Sequence, residues 1–261
     1  MPLHPSARCL ALIATALACH ALPAAAAPEE IQVYLDDLSA PGQFGLDVHN
    51  NVVIKGLRDS SYPGETPSQH QYKLTPEFYY GLTPTLELGL YVLTSRSAEG
   101  NSRLDGGKVR LKYIAPHDEK AGAYWGLNLE VGRTAITASE VPWNAELKGI
   151  VGWRGGGWTL GANPNIDWSL SKGGGPAQAS LDLKVAREVR AGTQLGLELY
   201  NELGPVNRFR RLDALNRNAK TLYLVLDQDL GHEVDLNLGL GRNLTNEGDR
   251  WTLKFIAGTH F

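Results

Sequence analysis

The C-terminal stretch Trp251-Thr-Leu-Lys-Phe-Ile-Ala-Gly-Thr-His-Phe261 alternates in character. Trp251, Leu253, Phe255, Ala257, Thr259 and Phe261 fall on one face. Thr252, Lys254, Gly258 and His260 fall on the other, with Ile256 the exception. A period of two is the signature of an extended strand with one apolar and one mostly polar face. The alternation becomes regular at Gln43 and recurs to the end of the chain. No long amphipathic helical pattern interrupts it, so the chain reads as all-β.

The first residues read differently. Arg8 precedes an apolar run from Leu10 to Ala18, followed by Ala24-Ala-Ala-Ala27. That order is a secretory signal peptide, with cleavage near Ala27. Cys19 after Leu17-Ala18 leaves a lipoprotein alternative open. The apolar run is too short for a membrane-spanning helix, and no later stretch approaches the required length. Both cysteines, Cys9 and Cys19, lie in this leader. The mature chain therefore has no disulfide and no thiolate metal site. Its net charge of about −4 argues against general nucleic-acid binding. No cofactor motif is evident, and His70, His117 and His232 lack metal-ligand spacing.

Counting alternating segments from Gln43 gives about twelve strands. Polar loops and short turns take turns between them, with the outer loops beginning near Leu57, Ser95, Thr134, Ser171, Gly204 and Asn243. An even strand number with short turns on one side and longer loops on the other is the plan of a transmembrane antiparallel β-barrel. The expected layout is residues 1–27 as leader, 28–42 as a periplasmic lead-in and 43–261 as barrel. Within the lead-in, Glu30 to Leu38 could be a short strand, a plug or a periplasmic segment. A polar loop is expected from about Arg96 to Asp105.

Alternation alone does not say which face points outward. The tryptophans bear on this. Trp125, Trp143, Trp153, Trp158, Trp168 and Trp251 all sit on the apolar face, near strand ends. Trp143 to Trp153, Trp158 to Trp168 and Trp251 to Phe261 share one spacing. A tilted strand of that length rises roughly 25 Å, the height of an apolar band between two aromatic girdles. The apolar face is thus expected toward lipid.

The polar face then lines a lumen. Lys108, Arg110 and Lys112 form the strongest local field, near Glu130, Glu146 and Lys148. They read either as a wall-stabilising ion-pair ladder or as a selectivity surface for anionic solutes. Pro76 and Pro164 each mark a bulge or bend, since proline cannot donate to the ladder. Asn163, Asn165 and Asp167 around Pro164 are candidates for a constriction. The candidate solute-contacting set is therefore Lys108, Arg110, Lys112, Glu130, Glu146, Lys148, Asn163, Asn165 and Asp167, with no catalytic residues.

Several motifs recur in a fixed order: Glu30-Ile-Gln-Val-Tyr34, Pro41-Gly-Gln-Phe44, Pro76-Glu-Phe-Tyr-Tyr-Gly-Leu82, Glu87-Leu-Gly-Leu-Tyr91, Ile150-Val-Gly-Trp153, Asn163-Pro164 with Asp167, Gly204-Pro205 and Asp249-Arg-Trp-Thr-Leu-Lys254. In this order they resemble a group of proteobacterial outer-membrane barrels similar to those grouped with the meta-pathway of phenol degradation. The resemblance spans the mature chain. It implies a barrel in a Gram-negative outer membrane and uptake of small, including aromatic, compounds. It carries over no catalytic residues and no cofactors.

The terminal Phe261 also resembles the signal read by the outer-membrane assembly machinery. The expected partners are that machinery, outer-membrane lipid and lipopolysaccharide, and a small solute. The leading reading is a channel for small solutes, such as small organic acids, aromatic ones included. Twelve strands lie between the eight that side chains fill and the sixteen that leave an open pore. Two alternatives stay open. One is a non-conducting barrel whose outer loops, with Arg208, Arg210, Arg211 and Arg217, bind phosphates. The other is an outer-membrane lipid hydrolase, which would need a serine within reach of a histidine. His49 and His260 fall on the lumen side of the first and last strands, with no serine beside them.

Overall fold

The computed structural model describes residues 29–208, 218–231 and 233–261, apart from the Arg208 side chain. The leader, Arg210, Arg211, Arg217 and His232 lie outside the described residues. Twelve strands form: Phe44–Lys55 (β1), Tyr72–Thr83 (β2), Leu86–Arg96 (β3), Ser102–Ile114 (β4), Gly122–Thr134 (β5), Trp143–Gly155 (β6), Trp158–Ser169 (β7), Gln178–Arg190 (β8), Thr193–Pro205 (β9), Lys220–Asp229 (β10), Val234–Asn243 (β11) and Trp251–His260 (β12). Each pairs antiparallel with its neighbours in sequence, and β1 pairs with β12 to close the barrel. At the seam, the Phe261 N–H donates to the Phe44 carbonyl at 2.9 Å, so the last residue is stitched to the first strand. Full closure leaves no sheet edge.

The burial pattern is inverted relative to a soluble protein. On β3 and β4, Leu90, Val109 and Leu111 are 49, 50 and 43% exposed, whereas Tyr91 and Arg110 are 1 and 3% exposed. Apolar side chains on the outside and charged ones within suit a wall facing lipid. Trp125, Trp143, Trp153 and Trp158 stand on that outer face.

Local chemistry explains where the ladder departs from regularity. β4 begins at Ser102, inside the stretch expected as loop. Gly106 makes this possible. Its φ of 147° and the Arg133 carbonyl, which occupies the place where a Cβ would stand, admit only glycine. The strand bulges there and keeps pairing with β3 as far as Ser102 and Arg96. The outer loop at 97–101 is correspondingly short. Pro76 and Pro164 interrupt their ladders as expected of proline. Pairing of β2 with β3 skips from Leu74 to Glu77, and pairing of β7 with β6 skips from Asn165 to Ala162.

Inward tyrosines lie over glycines on the adjacent strand. Tyr79 covers Gly45, Tyr124 covers Gly152 and Tyr223 covers Gly241, each with ring atoms less than 2.5 Å from an ideal glycine Cβ. The missing side chain is what lets each ring lie flat on the wall.

Residues 28–42 were expected as a periplasmic lead-in, with Glu30 to Leu38 left open between a strand, a plug and a periplasmic segment. Residues 29–39 run through the inside of the barrel, as a plug would. The segment makes no strand of its own, only a bridge between Pro41 and Gly81 near the periplasmic rim. The reason is apolar burial. Tyr34, with Leu35 and Leu38, joins Ile114, Tyr124 and Ile150 in one cluster. Ile31 joins Tyr223 and Val225 in another. This strap supplies the apolar partners that the inward wall residues would otherwise lack.

At the outer rim, the loop between β1 and β2 reaches across. The Thr66 N–H donates to the Thr137 carbonyl at 2.9 Å, and Ser68 meets Asp249. It thereby ties the β5–β6 loop to the β11–β12 loop.

Candidate functional site

The strap descends from Glu29 near mid-barrel to Pro41, at the end of the barrel that carries the short β2–β3 turn. Side chains of the wall hold its backbone almost step by step. Asn51 donates to the Glu29 carbonyl at 3.0 Å, and Lys254 donates to the Ile31 carbonyl at 3.1 Å. Asn163 grips Tyr34 from both sides: its Oδ1 accepts from the Tyr34 N–H at 2.7 Å, and its Nδ2 donates to the Tyr34 carbonyl at 3.0 Å. Lys112 donates to the Asp37 carbonyl at 2.6 Å, and Glu87 accepts from the Ser39 N–H at 2.7 Å. The wall thus gives the strap what a neighbouring strand would give: partners for buried N–H and C=O groups.

Asn163 has a second task. Pro164 breaks the ladder beside it, and Asn163 Nδ2 also reaches the Gly149 carbonyl at 3.2 Å. The defect in the wall is therefore the place where the strap is bound.

Tyr34 is the centre of the site. It is 2% exposed. Three cations lie over its ring: Lys148 Nζ at 4.4 Å, Lys112 Nζ at 5.3 Å and the Arg110 guanidinium at 5.6 Å. Such contacts are each worth about 0.5–2 kcal/mol, more where water is excluded. The phenol oxygen meets Tyr91 at 2.6 Å and donates to Glu130 at 3.3 Å.

The basic row, read either as an ion-pair ladder or as a selectivity surface, is committed to partners. Lys108 pairs with Glu29 of the strap at 2.6 Å. Arg110 lies between Glu77 and Glu87 of the wall. Glu146 pairs with Lys148 at 3.1 Å, and Asp167 stands opposite Glu146 in the β6–β7 register. Asn165 donates to Ser180 at 2.9 Å and to Asp182 at 2.7 Å, away from the strap. Lys108, Arg110, Lys112, Glu130, Lys148 and Asn163 therefore gather around the strap, while Asn165 joins β7 to β8.

Sequence reasoning missed a second polar cluster. Glu198 on β9 pairs with Lys184 at 3.1 Å and with Lys254, and Lys184 also meets Asp227 at 2.9 Å. Its signal was present, since all four lie on inward positions, but adjacency required knowing that β12 returns toward β9. Between this cluster and the strap lies a cavity of about 500 Å³, bordered by Asp37, Lys112, Arg154 and Asp235.

At that end the strap is anchored by charge. Asp36 accepts from Arg154 at 2.6 and 2.8 Å and lies 2.9 Å from His117 Nε2, in the β4–β5 turn. Burial acts to lower the His117 value, but the Ala115 carbonyl and Asp36 outweigh it, so His117 is held above its ordinary 6.5. Burial acts to raise Asp36, but Arg154 and then His117 outweigh it and hold it below its ordinary 3.8. A raised histidine contributes fully below 6.5, and the contribution is lost as pH climbs through the raised value. The Asp36 contribution is present above 3.8 and is lost only in acid. The hold of His117 on Asp36 is therefore expected to weaken as pH rises above 6.5 and through the raised value. Hydrogen exchange of the strap amides should quicken over that rise for the wild type and stay flat for His117→Gln.

No serine is bound to a histidine at any of three described sites. The partners of His49, His70 and His117 are Glu77, Gln69 and Ala115 with Asp36.

No protein-family model matches this chain, and no curated protein matches it in sequence. Solved structures do match in shape. An outer-membrane channel from Pseudomonas putida F1 superposes with a TM-score of 0.58 at 12% identity, over 89% of this chain and 100% of that one. The NanC porin superposes with a TM-score of 0.50 at 11% identity, over 83% of this chain and 98% of that one. By fold, the chain is a closed antiparallel β-barrel of twelve strands, similar in shape to these outer-membrane barrels.

Proposed function

We propose that the chain is an outer-membrane channel for small solutes, closed at rest by its own strap. The observation that carries this reading is the way residues 29–43 are held. Residues 29–40 fill the lumen through hydrogen bonds, ion pairs and ring contacts with wall side chains, and the segment meets the sheet backbone only at its end, where Pro41 to Gln43 lie beside Gly81. A segment held in this way can leave while the barrel stays intact, because closure of the sheet does not depend on it. Two barrels of similar shape, one described as a channel and one as a porin, support the reading.

Small organic acids, aromatic ones among them, fit the interior that strap withdrawal uncovers. Lys112 and Lys148 would then lose the Tyr34 ring, and Lys108 would lose Glu29. An incoming carboxylate would meet these cations, and an aromatic ring could take the place of Tyr34. The same proposal places the chain in a Gram-negative outer membrane after leader cleavage near Ala27, which frees the leading end of the strap. Lipopolysaccharide at the outer rim and recognition of Phe261 by the assembly machinery belong to it as well.

The test is single-channel recording of the refolded mature protein in a planar bilayer, with small organic acids added as blockers. Brief openings that these acids interrupt are expected, with blockade weakened in Lys148→Gln. Absence of any conductance in folded protein, both with and without the strap, would sink the channel reading.

A further inference from the structure

We propose that Glu30, His49 and Glu77 form a divalent metal site that fastens the strap to the wall. Glu30 comes from the strap, His49 from β1 and Glu77 from β2. One ligand atom from each lies within 4.8 Å of the other two. His49 Nε2 and Glu77 Oε2 are 3.2 Å apart. Tetrahedral zinc, with bonds of about 2.0–2.1 Å, places its ligands about 3.4 Å from one another. The wall pair thus already has the spacing of one tetrahedral edge.

Three buried polar atoms at the site have no hydrogen-bond partner. They are Oε1 of Glu30, Oε1 of Glu77, which Arg110 meets as an ion pair, and Nδ1 of His49, a residue 0% exposed. Buried polar groups are normally satisfied, so the unpartnered oxygen of Glu30, on a residue clustered with His49 and Glu77, points to a missing partner. Glu30 gives up no hydrogen bond at Oε1 in turning toward the wall pair.

The charge balance also favours a cation. Asp47 stands directly opposite Glu77 in the β1–β2 register. Arg110 is the cation in contact with Glu77, and it is shared with Glu87. Among the described residues, Glu30, Asp47 and Glu77 lie around His49, and Glu77 shares Arg110 with Glu87. Glu77 can keep Arg110 on Oε1 at 2.9 Å while Oε2 meets the metal. Arg110 would then orient the ligand from behind, as outer partners of metal-bound carboxylates do.

One imidazole and two carboxylates, with water in the fourth position, suit zinc or cobalt. Calcium and magnesium prefer all-oxygen sets of six or more ligands. The site was invisible as spacing in the sequence because its ligands come from three separate elements. The proposal does not depend on conduction, since a fastened strap would exist in a silent barrel too.

The test is cobalt titration of the full mature protein in detergent after chelator treatment. A heat-dependent gel shift confirms that the barrel is folded. Uptake of one equivalent with a visible ligand-field band, displaced by zinc, is expected. Glu30→Gln alters only the strap and should weaken binding by at least about tenfold. His49→Gln should abolish the band. No uptake by folded wild-type protein would overturn the site. So would equal uptake by wild type, Glu30→Gln and His49→Gln.

Discussion

Removing residues 29–40 is expected to raise single-channel conductance by at least about tenfold while leaving the barrel folded. The strap occupies the middle of the lumen, where Ile31, Val33 and Tyr34 are all at most 3% exposed. A twelve-stranded wall without it is wider than the eight-stranded barrels that side chains fill. The sheet itself should survive, because every strand keeps both neighbours. Deletion does strip partners from Lys108, Lys112 and Lys254. Water entering the opened lumen solvates these groups, so the cost to folding is smaller than in a dry core. Conductance and the heat-dependent gel shift, measured on the same preparation, check both halves of this expectation.

The second large effect concerns Arg110. Its guanidinium is 3% exposed and neutralises Glu77 and Glu87, themselves 1 and 4% exposed. Arg110→Met leaves two buried carboxylates facing each other without their cation. Breaking a buried pair by deleting one partner typically costs 3–5 kcal/mol, so a loss of about 3 kcal/mol is expected. Urea unfolding from lipid vesicles measures it. Adding Glu77→Gln to Arg110→Met should recover part of the loss, because one uncompensated charge disappears. A gain in stability from Arg110→Met alone would show that the pair is solvated and that the interior is wetter than described.

The strand order was legible because a barrel wall imposes period two on nearly every residue. Leu90 and Tyr91, or Val109 and Arg110, announce opposite faces simply by being neighbours. The loop before β4 was misjudged because its polar residues, Ser102 and Arg103, sit in a strand that Gly106 allows to bulge. A local glycine geometry outweighed composition there. The strap was the larger gap. Ile31, Val33 and Leu35 alternate like a strand, and nothing local tells a lumen-bound segment from an edge strand or a lead-in. Its position follows from long-range partners such as Asn163 and Lys254, more than a hundred residues away in sequence.

The candidate site was legible as a list and illegible as an arrangement. Lys108, Arg110 and Lys112 could be placed on one face, but whether they met solute or protein depended on where the N-terminal segment lay. Asn163 beside Pro164 was singled out for a constriction. It is the residue that holds Tyr34, and it does so where the proline has opened the ladder. The tyrosines resting on Gly45, Gly152 and Gly241 could be recognised only once strand register was known.

The most direct test of a strap-closed channel is a reversible lock. Leu35 Cδ2 lies 2.7 Å from where a Cβ on Gly161 would stand, which joins the strap to β7. A protein beginning at residue 28 has no other cysteine, since Cys9 and Cys19 both precede it. Single-channel conductance of the Leu35→Cys, Gly161→Cys protein, recorded first oxidised and then after reductant, gives the answer. The account predicts a silent channel while the disulfide holds and openings that return on reduction. A steady conductance of the same size in both states would contradict it, because the lumen would then conduct with its strap in place.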